Sequence, residues 1–272
     1  MSSLKSLGDW ASTLPDAEQM SPVMFVGHGN PMNAIEENEF SNGFKQVGKL
    51  MPLPKAIVCV SAHWETIGTK VTAMPNPPTI HDFGGFPEKL FQQQYPAPGN
   101  PELAKEICNT IKNPSIGEDL HWGLDHGTWS VLLPMFPKAN IPVIQLSLDY
   151  TKDAQYHFDL AKQLAFLRKK GVMIIGSGNI VHNLGNAVFK DVAYDWTIEF
   201  DSKIKEAIDK NDNASLVNYK KFGKAATLAV PSNEHYLPLL YIAALRNEKD
   251  KLTYFNEKNT MGSISMRSVI FH

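Results

Sequence analysis

Four short apolar runs rich in β-branched residues constrain the fold of this chain more than any other feature. They cover residues 23–26, 56–60, 141–148 and 172–175. Continuous apolar runs of this length are typical of strands that are covered on both faces. Segments with helical spacing lie among them, at residues 101–111, 127–136, 153–170 and 196–210. This alternation predicts an α/β fold with a central, mostly parallel or mixed sheet and helices on both faces.

The domain organisation follows from length and from the absence of dividing segments. The chain of 272 residues is long enough for one large α/β domain, and no repeat, low-complexity tract or linker-like run interrupts it. We therefore expect an N-terminal extension over residues 1–21 and one catalytic domain over residues 22–272. The C-terminal part adds a predicted helix near residues 235–245 and predicted strands near residues 252–255 and 263–270.

Composition excludes several classes of function. A net charge of -2 gives no reason to expect nucleic acid or an anionic membrane as a partner. No run approaches the roughly 18 apolar residues that a membrane span needs, and the first 20 residues lack the apolar core of a secretory signal. Cys59 and Cys108 are interpreted as small buried residues and not as a disulfide. We expect a cytoplasmic location.

Four of the nine histidines lie where strands are predicted to end or a helix to begin. His28 and His63 follow predicted strands, His182 lies a few residues beyond another, and His235 opens the last predicted helix. Ligands of open α/β sheets bind at the carboxyl ends of the strands, and imidazole suits zinc, iron, copper and nickel. Glycines on both sides of His28 let the backbone approach an ion closely. The four histidines therefore predict a metal site, although a single histidine at a strand end is more often a polar group satisfied by nearby backbone.

Two further features suggest catalytic residues near that site. His126 precedes a helical pattern, where the helix dipole disfavours the imidazolium and leaves a neutral ring able to accept or donate a proton. The alternative is an ordinary helix start, capped by Asp125 or Thr128. The loop over residues 74–99 is rich in proline, glycine and aromatic residues and suits a wall for a flat ring, with His81 as a substrate contact or a surface residue. The remaining histidines are interpreted as structural or exposed: His121, His157 and His272.

Eight short motifs in a fixed order carry a family resemblance. They are GHGNPM at 27–32, SAHW at 61–64, PTIHDFGGFP at 78–87, YPAPG at 95–99, DHG at 125–127, GSGN at 176–179, VHN at 181–183 and EHYLPL at 234–239. The series spans about residues 22–270 and resembles the class III extradiol ring-cleavage dioxygenases. Within them it is similar to the 4,5-DOPA dioxygenase branch, related to the β-subunit of protocatechuate 4,5-dioxygenase.

The resemblance implies one mononuclear divalent metal, Fe(II) or Zn(II), and a small aromatic diol that is opened by O₂. The implied product is a muconic semialdehyde, formed from a DOPA-like catechol. By motif, His28, His63 and His235 resemble metal ligands, His182 resembles a further ligand or an acid–base residue, and His126 resembles the second acid–base residue. Glu234 beside His235 can also bind metal, but the DOPA-type pattern favours His235.

Two alternatives to a dioxygenase remain open at this point. The same scaffold could carry a zinc-dependent hydrolase with a metal-bound water, or a metal-binding relative without turnover. Retention of all five histidines that resemble ligands or acid–base residues argues against the second alternative, because a binding protein has no need of an acid–base pair. We expect the protein to be a monomer or a homodimer.

Overall fold

The strands of this protein form a mixed sheet whose centre is parallel. The structure is a computed structural model, and it describes residues 20–272. The predicted N-terminal extension therefore lies outside the described residues except for its last two. The strands are β1 (Val23–Gly27), β2 (Ala56–Thr66), β3 (Lys70–Thr72), β4 (Gly117–Asp119), β5 (Val143–Asp149), β6 (Val172–Gly178), β7 (Leu252–Phe255), β8 (Asn259–Thr260), β9 (Ile264–Ser265) and β10 (Ser268–Phe271).

Eight of these strands lie in one sheet in the order β4-β3-β5-β2-β6-β1-β10-β7. The four adjacent strands β5, β2, β6 and β1 run parallel, whereas β3 is antiparallel to β5 and β10 is antiparallel to β1. Residues of β1 alternate between two apolar cores: Val23 and Phe25 face one, and Met24 and Val26 face the other. A strand buried on both faces is continuously apolar, which is why the central strands could be predicted.

Helices cover both faces of the sheet. They are α1 (Glu39–Leu50), α2 (Glu88–Phe91), α3 (Pro101–Thr110), α4 (His126–Met135), α5 (Ala154–Gln163), α6 (Asp195–Asp209), α7 (Asn213–Val217), α8 (Lys224–Ala229) and α9 (Leu237–Ala244). Residues of α3, α5, α6 and α9 share one core, and residues of α1 and α4 share the other. The predicted α/β class with helices on both faces is confirmed. None of the helices in residues 20–272 combines the length and the apolar character that crossing a bilayer requires.

Three predicted elements differ from the structure. The single helix predicted over residues 153–170 is α5 followed by a 3₁₀ segment, Leu164–Lys170. A helix often narrows to 3₁₀ geometry in its last turns, and this one ends at Gly171, which has the left-handed conformation. The strand predicted over residues 263–270 is divided into β9 and β10. The strand predicted over residues 56–60 continues to Thr66, so its second half contains polar residues that the apolar pattern did not include.

Candidate metal centre

Three imidazoles from distant parts of the chain meet at one edge of the sheet. One ring nitrogen from each of His28, His63 and His235 lies within 4.8 Å of the other two. The Nε2 atoms of His28 and His63 are 3.3 Å apart. The residues come from neighbouring elements: His28 directly follows β1, His63 lies in β2, and His235 lies two residues before α9.

The strand order produces this convergence. Strands β2, β6 and β1 are adjacent and parallel, so their carboxyl ends lie together. His235 is drawn to the same place from the C-terminal part of the chain, because the backbone N–H of Asn179, just after β6, donates to the carbonyl oxygen of His235 at 2.9 Å. Gly178 is required for this approach, since a Cβ there would lie 2.1 Å from that oxygen.

His63 does not follow its strand, as the sequence suggested, but lies inside it. The pairing of β2 with β5 shifts register between Val60 and Glu65, and His63 falls in that irregular stretch. Such irregularities are frequent beside active sites, because they re-aim a side chain. Similarly, His235 precedes the last helix by two residues instead of opening it.

The hydrogen bonds behind two of the rings determine their tautomers. The Ser177 hydroxyl donates its only proton to the carbonyl oxygen of Gly127, so the Nδ1 atom of His28, 3.0 Å from that hydroxyl oxygen, must be the donor to it. The Nδ1 atom of His235 lies 3.0 Å from a carboxylate oxygen of Glu234, which can only accept. A neutral imidazole carries one ring proton, so the Nε2 atoms of His28 and His235 are unprotonated when these rings are neutral.

The arrangement fits a divalent metal ion. The Nε2 atom of His235 is buried and has no hydrogen-bond partner among the described residues. Unprotonated nitrogens that face one another repel unless a cation lies between them, and neutral imidazole is a common ligand of zinc and iron. A carboxylate or carbonyl behind a ligand histidine is the usual support for such a site.

Burial keeps these rings neutral. It is the largest cause that lowers the pKa of His28 and of His235 well below the ordinary value, and the neighbouring histidines lower both further. Burial, followed by the charge of His126, lowers the pKa of His63 to about 3. All three therefore carry the form that binds metal at neutral pH.

His182 lies beside the three converging histidines and is not part of their group. Its ring stacks on that of His235, with centroids 3.4 Å apart and planes 6° apart. It forms a second group of possible ligand atoms with Glu234 and His235. Burial lowers the pKa of His182 to about 4, against the opposing charge of Glu234. The structure thus separates His182 from the His28–His63 pair.

His126 is the first residue of α4, and its ring lies against that of His63 with centroids 3.9 Å apart. The alternative interpretation of this position, a helix start capped by Asp125, is confirmed, since Asp125 accepts from the backbone N–H of Thr128 at 3.0 Å. Asp125 is fully buried and also accepts from Ser61 at 2.7 Å and from Gln145 at 2.6 Å. Burial raises its pKa.

Asp82 is a site residue that sequence reasoning missed. One of its oxygens accepts from the backbone N–H of His126 at 2.8 Å, and the other lies 2.9 Å from Nδ1 of His126 and 3.5 Å from Nδ1 of His63. Burial raises its pKa, but the contacts with His126 outweigh that effect and lower it. The available signal was its place in the long loop, directly after His81.

The loop over residues 74–99 forms an aromatic wall beside these rings. Phe83 packs edge-on against His126, with centroids 5.5 Å apart, and against Phe86 and the buried Trp129. His81 joins two parts of the same loop, since its Nε2 lies 2.9 Å from the carbonyl oxygen of Gln93. The other histidines lie outside the site: His121 is exposed, whereas His157 and His272 are buried.

Comparisons with known proteins agree with one another. Residues 21–267 match the model of the family described as the catalytic LigB subunit of aromatic ring-opening dioxygenase. A protein of Escherichia coli (strain K12) named 4,5-DOPA dioxygenase extradiol is 44% identical over 254 residues, which cover 91% of this chain and 93% of that protein. A Beta vulgaris protein of the same name is 35% identical, covering 93% of this chain and 97% of its own. A crystal structure of an uncharacterized Escherichia coli K12 protein matches with a TM-score of 0.81 and 39% identity over 93% of this chain and all of that one.

Proposed function

The chain belongs to the family of the catalytic LigB subunit of aromatic ring-opening dioxygenases and is an extradiol dioxygenase, and we propose that it opens a catechol of the DOPA type to a muconic semialdehyde. The relatives named 4,5-DOPA dioxygenase extradiol support a DOPA-like substrate. The same relatives favour ring opening over a zinc-dependent hydrolase and over a metal-binding protein without turnover.

The proposed metal ligands are His28, His63 and His235, which would hold one divalent ion through their Nε2 atoms. The observation that carries this proposal is the convergence of three neutral imidazoles, two of them buried and that of His63 half-buried, with a nitrogen of each within 4.8 Å of the others. A bound ion would bring the catechol and O₂ to one centre and let electrons pass between them, which is chemistry that Fe(II) supplies and Zn(II) does not. Three neutral ligands leave the full positive charge of the ion to attract a catecholate.

The proposed acid–base residues are His182 and His126. His182 is half-buried and neutral, so it is ready to accept the proton that a catechol hydroxyl loses. Its stacking on His235 keeps it beside the proposed ligands. His126, supported by Asp82 at Nδ1, would use its other nitrogen to exchange a proton with an oxygen of the substrate or product.

The test is to load the purified protein anaerobically with Fe(II) and then to add DOPA, catechol or protocatechuate together with air. We expect oxygen uptake, a yellow product and the entry of both atoms of isotopically labelled O₂ into that product. The zinc-loaded protein is the control and should show none of these. Absence of oxygen uptake and of coloured product with every catechol would contradict the proposal.

The native metal, the oligomeric state and the location stay predictions. We propose Fe(II) as the active ion and Zn(II) as its competitor, because an all-histidine ligand set accepts both. Elemental analysis of protein purified without chelators would decide between them. The expected monomer or homodimer is testable by light scattering, and the cytoplasmic location by cell fractionation.

A further inference from the structure

We propose that Asp82 is a positioning residue that fixes the tautomers of His63 and His126 at the same time. Through this one carboxylate, the geometry links the ring that would bind the metal to the ring that would exchange protons with the substrate. The inference rests on the roles proposed above for these two histidines. It adds that this residue of the loop over residues 74–99, which supports His126, acts on His63 as well.

The first step is the direction of the contacts. The Oδ2 atom of Asp82 lies 2.9 Å from Nδ1 of His126 and 3.5 Å from Nδ1 of His63. A carboxylate has no proton to donate, so an unprotonated nitrogen at these distances would be repelled. Neither contact has the alignment of a hydrogen bond, and the buried Nδ1 of His126 has no hydrogen-bond partner among the described residues. The negative charge of the carboxylate therefore favours a proton on Nδ1 of each ring by electrostatic attraction.

The second step is the consequence for the other nitrogen. A neutral imidazole with a proton on Nδ1 has an unprotonated Nε2. In His63 this is the atom that lies 3.3 Å from Nε2 of His28, where the proposed metal would bind. In His126 it is the atom that is left to accept a proton. Asp82 would thus select by its charge the same tautomer that Ser177 and Glu234 select by hydrogen bonds in His28 and His235.

The third step is that Asp82 itself is held in place. Its Oδ1 atom accepts from the backbone N–H of His126 at 2.8 Å, at the start of α4. Two residues earlier, the backbone N–H of Ile80 donates to the carbonyl oxygen of Leu124 at 2.7 Å. The loop is therefore fastened to the segment before α4 on either side of His81. After Phe83 it leaves the site through Gly84 and Gly85, where an added Cβ would meet nothing within 4 Å.

A purely structural role for Asp82, as a cap for α4, makes a different prediction. In Asp82→Asn the amide oxygen can still accept from the backbone N–H of His126, so the cap is retained. The amide nitrogen, however, is a donor and would face the Nδ1 atoms of the two histidines. It would favour the opposite tautomer, with the proton on Nε2, where it interferes with both proposed roles.

The experiment compares wild type, Asp82→Asn and the matched control Asp153→Asn. Asp153 also accepts from a backbone N–H at a helix start, that of Tyr156 at 2.9 Å, but it makes no described contact with the site histidines. Zinc affinity is measured by competition with a chelator. The tautomer of His126 is read from the imidazole nitrogen chemical shifts of the zinc-loaded protein. Turnover of the Fe(II)-loaded protein gives kcat and KM.

We expect Asp82→Asn to weaken zinc binding and to lower kcat, each by roughly 10- to 100-fold, with a smaller change in KM. We also expect the His126 proton to move from Nδ1 to Nε2, the melting temperature to stay near that of wild type, and Asp153→Asn to match wild type throughout. Unchanged zinc affinity with an unchanged His126 tautomer in Asp82→Asn would overturn the inference.

The variant Asp82→Ala completes the test, because it removes the cap as well as the carboxylate. If it lowers only the melting temperature and leaves zinc affinity and kcat unchanged, Asp82 is structural and the inference is wrong. If the Fe(II)-loaded wild type turns over no catechol, the proposed function fails. The zinc affinities and the His126 tautomer still decide the role of Asp82 in that case.

Discussion

Each imidazole that would bind the metal has a polar partner at its Nδ1 atom. For His28 the partner is Ser177 of β6, and for His235 it is the preceding residue, Glu234. Partners of this kind orient the ring and select its tautomer, and their loss typically costs metal affinity or activity. The chemistry of the site therefore depends on these residues as well as on the histidines.

At this scale the sequence reveals the histidines but not their partners. His28 is noticeable in the sequence because it follows an apolar run and lies between two glycines, and His182 because it lies four residues beyond the glycines that end another run. Ser177 lies 149 positions from His28, and the two meet only because β6 is the neighbour of β1. Which strands are neighbours is a property of the assembled sheet, so no local pattern in the sequence contains it.

Replacing His182 or His126 by alanine should separate turnover from metal binding. We expect kcat to fall roughly 100- to 10,000-fold in each variant, because the loss of an acid–base group removes that much rate. Metal content by elemental analysis should stay near wild type, whereas His28→Ala should lose both metal and activity. Loss of the metal in His182→Ala would show instead that this residue is a ligand.

Among the elements, the central strands and the edge strand β7 could be predicted from sequence, and the strands at the opposite edge of the sheet could not. Strands β3 and β4 have three residues each and carry too little pattern to be detected. Helix α1 was also missed, because Gly43 and Gly48 lower the helical propensity of its twelve residues. Both glycines are needed there, since a Cβ would lie 2.0 Å from an oxygen of Asn256 or of Met135 respectively.

The segment predicted as one helix over residues 153–170 ends in basic residues. Their role is decided by tertiary contacts and not by their place at the end of a helix. By position Arg168 is a last-turn cation that could face the dipole of such a helix, but it is 1% exposed. Its guanidinium donates to both carboxylate oxygens of Asp250 at 2.7 and 2.8 Å and to the carbonyl oxygens of Ser21 and Leu245, each at 2.7 Å. It therefore joins the start of β1 to the end of α9, which the local sequence cannot indicate.

The junction of β5, α5 and α9 should make stability depend on pH through His157. This ring is fully buried, with Nε2 3.2 Å from the carbonyl oxygen of Asp149 and Nδ1 3.0 Å from the hydroxyl of Tyr241. Burial lowers its pKa from 6.5 to about 4. The unfolded chain therefore takes up this proton first, so the stabilisation is complete above pH 6.5 and is lost as the pH falls towards 4.

The measurement compares the free energy of unfolding of wild type and His157→Gln between pH 7.5 and pH 5. Glutamine can donate to Asp149 and accept from Tyr241 but does not titrate, and the other histidines are common to both proteins. Wild type should lose about 2 kcal/mol more than the variant by pH 5, at 1.36 kcal/mol for each unit of pKa difference. Parallel pH curves for the two proteins would contradict this prediction.

For the molecule as a whole, the candidate centre joins the two ends of the fold. His28 and His63 come from the N-terminal half of the chain, whereas His235 comes from the C-terminal part, which reaches the sheet through β7 and β10. In an unfolded chain these residues are far apart, so an ion that binds all three binds the native state in preference. Metal binding and global stability are therefore linked.

Removal of the metal should lower the melting temperature of the whole protein. At a free metal concentration of 100 times Kd, binding contributes about 2.7 kcal/mol, which corresponds to roughly 5–10 °C for a domain of this size. We expect this loss on chelation and its recovery when Zn(II) or Fe(II) is restored, as measured by calorimetry. His63→Ala should have a melting temperature that neither treatment changes, while the exposed His121→Ala should behave as wild type. The protein must first be shown by elemental analysis to contain metal. If chelation then leaves its melting temperature unchanged, the ion does not join the segments that carry the three histidines.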